Sequence, residues 1–295
     1  MTHTPSILIT GATGNVGSEI ARQLSANNIP FRAMVRSIEG AEAIAALKGA
    51  ELVTGDFNDP ESISNALNGI ERAFLLTNSS EQAETQQCNF TDAARKAGVQ
   101  HIVKLSQLAA DLHSPVRFLR YHAAVEQKIQ ASGLAYTFLR PNLFMQGLLG
   151  FSYTIATQGK FFAAIGDAPI SMIDVRDIAA VAVEALTGEG HEGKTYTITG
   201  PEALTHDQLA VQLSKASGSP VQFIPVSPED MQQGLLAAGF PLWQAEGLIE
   251  DYAHYARGEA AAVTTTVQDV TGQPARRFAN FAKEYAPFFS MIVAH

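Results

Sequence analysis

Three glycines, Gly11, Gly14 and Gly17, stand directly after the apolar run Ile7-Leu8-Ile9 and directly before a helical pattern. The heptapeptide Gly11-Ala12-Thr13-Gly14-Asn15-Val16-Gly17 has the spacing of a strand-to-helix turn that receives the phosphates of a dinucleotide. The first glycine permits the tight turn, the second lets backbone approach the phosphates, and the third allows close helix–strand packing. Unpaired N–H groups of the first helical turn then face the anion. A glycine turn of purely conformational use has the same letters, but its place behind a buried-looking strand favours the binding reading.

The next apolar run ends in Val35-Arg36-Ser37, with no carboxylate before Glu39. An NAD site usually places Asp or Glu here to hold both ribose hydroxyls. A guanidinium pairs instead with a 2′-phosphate through charge-assisted bidentate bonds, so NADP(H) is expected in preference to NAD(H). Asp56-Phe57 is positioned to bracket an adenine or, more simply, to cap a loop; Thr77-Asn78 would line the ribose and pyrophosphate side.

The elements that must position these residues alternate regularly. Helices are expected at about 15–27, 39–48, from Asp59-Pro60-Glu61 onward, 81–97 and 115–131. Between them lie the strand-like runs 31–35, 51–54, 73–76, 101–105 and 135–139. Asp59 reads as an N-cap with Pro60 at the first helical position, while Gly98 and Gly133 read as helix stops. Alternating strands and helices imply right-handed crossovers and a parallel sheet. The expected fold is therefore α/β, a Rossmann-type doubly wound parallel sheet in the order 3-2-1-4-5-6. Its ligand would lie at the carboxyl ends of the first and fourth strands. Beyond about residue 145 the rhythm weakens, with short strand-like pieces at 170–173 and 195–198 and helices near 175–186 and 205–217. This predicts a dinucleotide-binding domain over 1–145 and a smaller, mostly helical substrate lobe over 146–295, with some segments returning to the sheet.

Composition bounds the function. Of 295 residues, 46 % are apolar and 17 % charged, enough for a sizeable core and against global disorder. The net charge of −9 argues against a nucleic-acid partner, which needs a basic face. The single cysteine, Cys88, cannot close an internal disulfide, and no basic-plus-apolar leader precedes Ile7, so a reduced, cytoplasmic compartment is expected. Apolar stretches are broken well before the roughly 18 residues of a membrane span. The eight histidines show no metal-ligand spacing, so no metal is expected. Nothing in the sequence excludes a homodimer.

Taken together, Thr10 to Gly17, Val35-Arg36, Gly55-Asp56-Phe57, Leu139-Arg140-Pro141-Asn142 and Ile173 to Ala179 resemble the atypical short-chain dehydrogenase/reductase family in its NmrA-like branch. The likeness runs over essentially the whole chain and is strongest to bacterial NAD(P)H-dependent quinone and triphenylmethane-dye reductases. It implies that Pro141-Asn142-Leu143-Phe144 contacts the nicotinamide. The wider superfamily uses Tyr-x-x-x-Lys on the fifth helix, the Tyr moving the substrate proton and the Lys lowering its pKa. With the register fixed by Val125-Glu126-Gln127, Phe118 falls at the Tyr position and His122 at the Lys position. Tyr121 is turned by roughly 60° from Phe118 on a helix. The usual relay is thus missing.

Two candidate catalytic groups remain. Ser106 is the hydroxyl at the end of the fifth strand, or else only a partner of local backbone. His122 contacts the nicotinamide ribose, donates a proton near neutral pH, or is a surface histidine held by Glu126 one turn on. A site without the tyrosine suits acceptors that spread the arriving charge, such as quinones, cationic dyes or activated alkenes. Phe118, Tyr121, Phe144, Met145 and Phe151 would form an aromatic wall for a flat substrate, unless they are ordinary core. The sequence thus leads to an NADPH-dependent reductase of quinone-like or conjugated aromatic acceptors. A non-catalytic NADP(H)-binding redox sensor is the alternative, and a nucleotide-sugar epimerase is a weaker third.

Overall fold

The computed structural model describes residues 5–290. The first half alternates as the sequence requires: β1 (Ile7–Ile9), α1 (Asn15–Ala26), β2 (Phe31–Val35), α2 (Glu42–Ala45), β3 (Ala50–Thr54), α3 (Pro60–Ala66), β4 (Arg72–Leu75), α4 (Ala83–Ala97), β5 (His101–Leu105), α5 (Arg117–Ser132) and β6 (Ala135–Pro141). A 3₁₀ turn (Met145–Phe151) leads to α6 (Ser152–Gln158), β7 (Lys160–Ala163), α7 (Val175–Thr187), β8 (Lys194–Ile198), α8 (His206–Ser217) and β9 (Gln222–Pro225). The rest is helical: α9 (Pro228–Ala237), α10 (Leu242–Ala256), α11 (Thr266–Thr271), α12 (Phe278–Glu284) and α13 (Ala286–Phe289).

The main sheet has the order β3-β2-β1-β4-β5-β6-β8, and every pairing from β3 through to β6 is parallel. The expected six-strand order is present, and the run 195–198 returns to this sheet as part of its seventh strand. On one face, α3, α4 and α5 bury Ile63, Phe90, Val125 and Ile129 with Leu8, Met34 and Phe138 from the strands. On the other, α1 packs with α7, and Gln23 donates to the Arg176 carbonyl at 3.0 Å. Local signals act as read: Asp59 accepts from the N–H groups of Glu61 and Ser62 at the start of α3, and Gly98 ends α4 at φ 80°.

Two elements differ from expectation. The helix anticipated over 39–48 shrinks to α2, with the left-handed Gly40 before it and Gly49 after it. The run 170–173 is no strand: Ile170 bridges Leu204, Ile173 bridges Phe144, and the Ser171 N–H bonds the Ala260 carbonyl. Its backbone groups are shared among three separate segments, so no ladder extends.

The chain separates into two units that are not consecutive. One comprises residues up to Ser114, Leu119–Pro141 and Val175–Thr197; the other comprises Pro115–Phe118, Asn142–Asp174 and the chain from Ile198 onward. The segments beyond 145 that group with the first unit are α7 and most of β8, and the first residues of α5 group with the second. Within the second unit β7 pairs parallel with β9, and a Thr205–Gln208 capping box starts α8. Among the described residues no helix is long and apolar enough to cross a membrane.

The glycine turn is the tightest point of the first unit. Gly11 has φ +63°, and a Cβ on Gly17 would lie 2.2 Å from the Gly11 carbonyl oxygen, so backbone would have to move. At Gly14 the same contact is 3.4 Å, and its φ of −84° suits any residue. Gly17→Ala should therefore destabilise the fold by about 1–3 kcal/mol, as overpacking does, seen as a lowered Tm. Gly14→Ala should leave Tm nearly unchanged.

Candidate active site

In the first unit, the turn after β1 is pinned to β4 by one side chain. The buried Thr10 hydroxyl accepts from the Leu76 N–H at 2.8 Å and faces the carbonyls of Phe74 and Leu76 at 3.0 and 2.9 Å. Beyond it, α1 begins at Gly14 with no side-chain cap and no acidic residue in its first turn. Thr13, Gly14 and Asn15 are exposed while Ala12, Val16 and Gly17 are buried. Uncapped N–H groups beside open backbone are what an anion requires, so these residues fit a dinucleotide's diphosphate.

The flanking candidates surround the same carboxyl edge of the sheet. Arg36 is exposed just past β2. Asp56 accepts from the Asn58 N–H at 2.8 Å, which is the loop-capping role, and half-buried Phe57 packs on Phe90 at a centroid distance of 5.8 Å. Thr77 accepts from Gln87 Nε2 at 2.8 Å, which leaves its hydroxyl proton available to donate; Asn78 is exposed.

A polar cluster lies between β5 and α5. On a strand, residues two apart share a face, and on a helix residues four apart do. Lys104 and Ser106 thus meet His122 and Glu126. The Lys104 amine is fully buried, donates to the Leu105 carbonyl at 3.0 Å and is hydrogen-bonded to His122 Nδ1 at 2.7 Å. Ser106 donates to Glu126 Oε1 at 2.5 Å, and Arg140 grips both carboxylate oxygens, at 3.0 and 2.5 Å. Burial pushes the Lys104 amine down to about 7, partly countered by the Glu126 charge. Burial first, then the Lys104 and Arg140 charges, hold His122 well below its ordinary value.

His122 is accordingly a neutral imidazole with Nδ1 against the Lys104 amine. It is not the surface histidine held by Glu126 that the sequence allowed: Glu126 turns to Ser106 and Arg140, and Lys104 takes its place. Sequence reasoning missed Lys104, hidden in the apolar run of a strand. The signal was there, a lysine in a strand of a parallel sheet that should be covered on both faces. Tyr121 stacks beside His122 at 4.2 Å between centroids, and its hydroxyl is 3.1 Å from Ser79 Oγ.

The second unit holds the rest. Phe118 lies 5.4 Å from Trp243, and a Cβ on Gly247 would come within 2.4 Å of the Phe118 ring. Arg117 lies over Trp243 and bonds Glu246 and Glu250, fixing that corner. Asn142 is buried, donating to Ser171 Oγ and the Ala260 carbonyl and accepting from the Leu143 N–H, so its side chain is already used by the protein. A small cleft is lined by Leu143, Phe144 and Phe151 among others. Of the five residues expected in the aromatic wall, only Phe144 and Phe151 line this cleft. Met145 is buried near Gly200, Phe118 is packed against Trp243, and Tyr121 belongs to the first unit. Among the described residues no group of His, Cys, Asp and Glu side chains could hold a metal ion.

The NmrA-like family model matches residues 3–278. The chain belongs to the NmrA-like family. It is 39 % identical to an NAD(P)H azoreductase of Xenophilus azovorans, over 96 % of this chain and 99 % of that protein. Among solved structures, it superposes on an NADPH-dependent quinone oxidoreductase of Escherichia coli complexed with NADPH. The TM-score is 0.85 at 31 % identity, covering 94 % of this chain and 99 % of that one. A triphenylmethane reductase of Citrobacter complexed with NADP(H) gives 0.82 at 30 %, covering 95 % and 100 %.

The burial of Lys104 has a measurable signature. Unfolded, Lys104 titrates near 10.5; folded, at about 7. Between those values the unfolded chain binds the extra proton, so stability rises with pH, by at most about 1.4 kcal/mol per pH unit. Urea melts at pH 7.0, 8.0 and 9.0 should show that slope in the parent, and Lys104→Met should reduce it by close to one proton.

Proposed function

We propose that this chain is an NADPH-dependent reductase of quinone-like or conjugated aromatic acceptors. The coarser part, an NAD(P)H-dependent oxidoreductase, rests on full-length relatives of 30–39 % identity. The observation that carries the finer part is the fate of the relay. Phe118, at the tyrosine position, is packed against Trp243, and His122, at the lysine position, is held neutral by burial and then by the Lys104 and Arg140 charges.

Bound NADPH supplies a hydride equivalent. The protein's own residues then have the following tasks. The Gly11–Gly17 turn binds the diphosphate with backbone N–H groups, and Arg36 meets the 2′-phosphate. Phe57 offers an edge to the adenine, Thr77 and Asn78 line the ribose side, and Pro141 to Phe144 flank the nicotinamide. His122 offers its Nε2–H to a ribose hydroxyl. A group held well below its ordinary pKa carries little acid at neutral pH, which supports ribose contact over proton donation. Ser106, committed to Glu126, fixes the end of β5. With no strong acid at hand, acceptors that delocalise the incoming charge and take their proton from solvent are favoured over isolated ketones.

NADPH consumption with a panel of quinones, azo dyes and triphenylmethane dyes tests this, and turnover is expected with at least one class. Tight NADPH binding with no turnover on any of them would overturn it in favour of a redox sensor. Arg36→Ala should weaken NADPH relative to NADH by on the order of 1.5–3 kcal/mol, the range for a hydrogen bond to a charged group. Equal weakening of both would remove Arg36 from that role. For His122→Ala, a raised KM for NADPH at constant kcat indicates ribose binding, whereas a lost kcat with a shifted pH profile indicates proton transfer.

A further inference from the structure

His122 differs from the other buried histidines. His101, His206 and His254 each enclose a ring nitrogen that has no hydrogen-bond partner among the described residues. In His122 the Nδ1 lies against the Lys104 amine at 2.7 Å, while Nε2 bonds no described residue and yet is not enclosed. The ring, 9 % exposed, therefore has one end sealed by the protein and one end open to a ligand. A neutral imidazole carries a single proton between its two nitrogens. What the open end presents, a donor N–H or an acceptor lone pair, is thus decided at the sealed end.

Lys104 is an unusual group to find there. Leu75 lies opposite it on β4 and Phe138 opposite it on β6, and its Nζ also donates to the Leu105 carbonyl at 3.0 Å. The ionisable groups that face it are His122 and Glu126 from α5, Arg140 from β6 and Cys88 from α4. Glu126 is held by Ser106 and Arg140, and burial pushes the Cys88 thiol up, so the thiol keeps its proton near neutral pH. Lys104 forms no ion pair among the described residues. An unpaired ammonium in a core is expensive, and a methionine would fill the same space without that cost.

What the amine adds is a hydrogen-bonding sense that depends on its charge. An ammonium has three donors and no acceptor, so against it Nδ1 can only accept and the imidazole proton is confined to Nε2. A neutral amine has a lone pair, so against it Nδ1 can equally carry the proton and donate. Burial brings the Lys104 amine down to about 7, while His122 stays neutral, held well below its ordinary value.

We propose that Lys104 is a positioning residue that sets the hydrogen-bonding sense of His122. The charged amine holds the open nitrogen, Nε2, as a donor, and the neutral amine releases it to act as an acceptor. As the pH rises Lys104 gives one proton to solvent, and the imidazole keeps one proton in either state. The consequence for the cofactor rests on the ribose contact proposed above. An N–H polarised by an ammonium across the ring binds a ribose oxygen more strongly than a neutral arrangement does. NADPH should therefore bind more tightly while Lys104 is charged.

Long-range proton–nitrogen correlation spectra of the cofactor-free protein, labelled with 15N-histidine, read the tautomer directly, and His122→Gln identifies the signal. Between pH 6.0 and 9.0 the parent is expected to pass from the Nε2–H form to a mixture containing Nδ1–H, with a midpoint near 7. Lys104→Met and Lys104→Gln, checked by their Tm, should show no such transition; Lys104→Gln keeps a polar end that does not titrate. Calorimetry of NADPH at pH 6.0 and 8.5 should show an affinity loss in the parent roughly fivefold greater than in Lys104→Gln, the difference between a charge-assisted and a neutral hydrogen bond. The cofactor's own titration is common to both proteins and cancels. A parent tautomer that stays constant across the range, or that changes identically in Lys104→Gln, overturns the proposal. The parent titration alone suffices for this if neither variant folds. A tautomer that follows Lys104 with equal NADPH losses in parent and variant would remove His122 from the ribose and leave its control by Lys104 standing.

Discussion

Between Gly17 and the carbonyl of Gly11 there is no room for a methyl group, and much of the first unit follows from that closeness. It sets α1 hard against the end of β1, so the helix presents its uncapped first turn at the carboxyl edge of the paired strands β1 and β4, from which the chain runs on to opposite halves of the sheet. Thr10 fixes the separation of those two strands through hydrogen bonds to Phe74 and Leu76. The open carboxyl edge there is a consequence of strand order, and the exposure of free N–H groups at it a consequence of helix direction. Neither depends on a charged side chain inside the turn.

The second organising interaction is electrostatic. Lys104, Ser106, His122, Glu126 and Arg140 bring two cations, an anion and an imidazole together under one helix. The arrangement is tolerable because Glu126 is fully engaged by Ser106 and Arg140, and because Lys104 can shed its charge onto neutrality near pH 7. A buried ion group of this kind contributes little net stability but fixes side-chain geometry. Here it fixes the orientation of the His122 ring, which a lone histidine on a helix would not hold.

Much of this was legible in the sequence where the cause is local. The glycine turn, the Asp59 cap, the Gly98 stop and the six-strand order all follow from residues near one another in the chain. Arg36 could be noticed because strand ends are easily placed. The partner of His122 could not, because Lys104 lies eighteen positions earlier in a stretch that reads only as strand, and their meeting depends on register between a strand and a helix. Whether Phe118 is cleft wall or core was open in the sequence because its packing partners, Gly247 and Trp243, lie far along the chain.

The interleaving of the two units bears on how the chain is made. β6 acquires its neighbour β8 only after the chain has departed through α6 and β7 and come back through α7. During synthesis, β6 therefore waits with an open row of backbone donors and acceptors, and α1 waits with an uncovered flank. Bare strand edges invite pairing with other chains. A nascent or truncated chain that stops near residue 145 would carry the complete glycine turn and still be an aggregation hazard, so ligand competence and folding competence arrive at different points along the polypeptide.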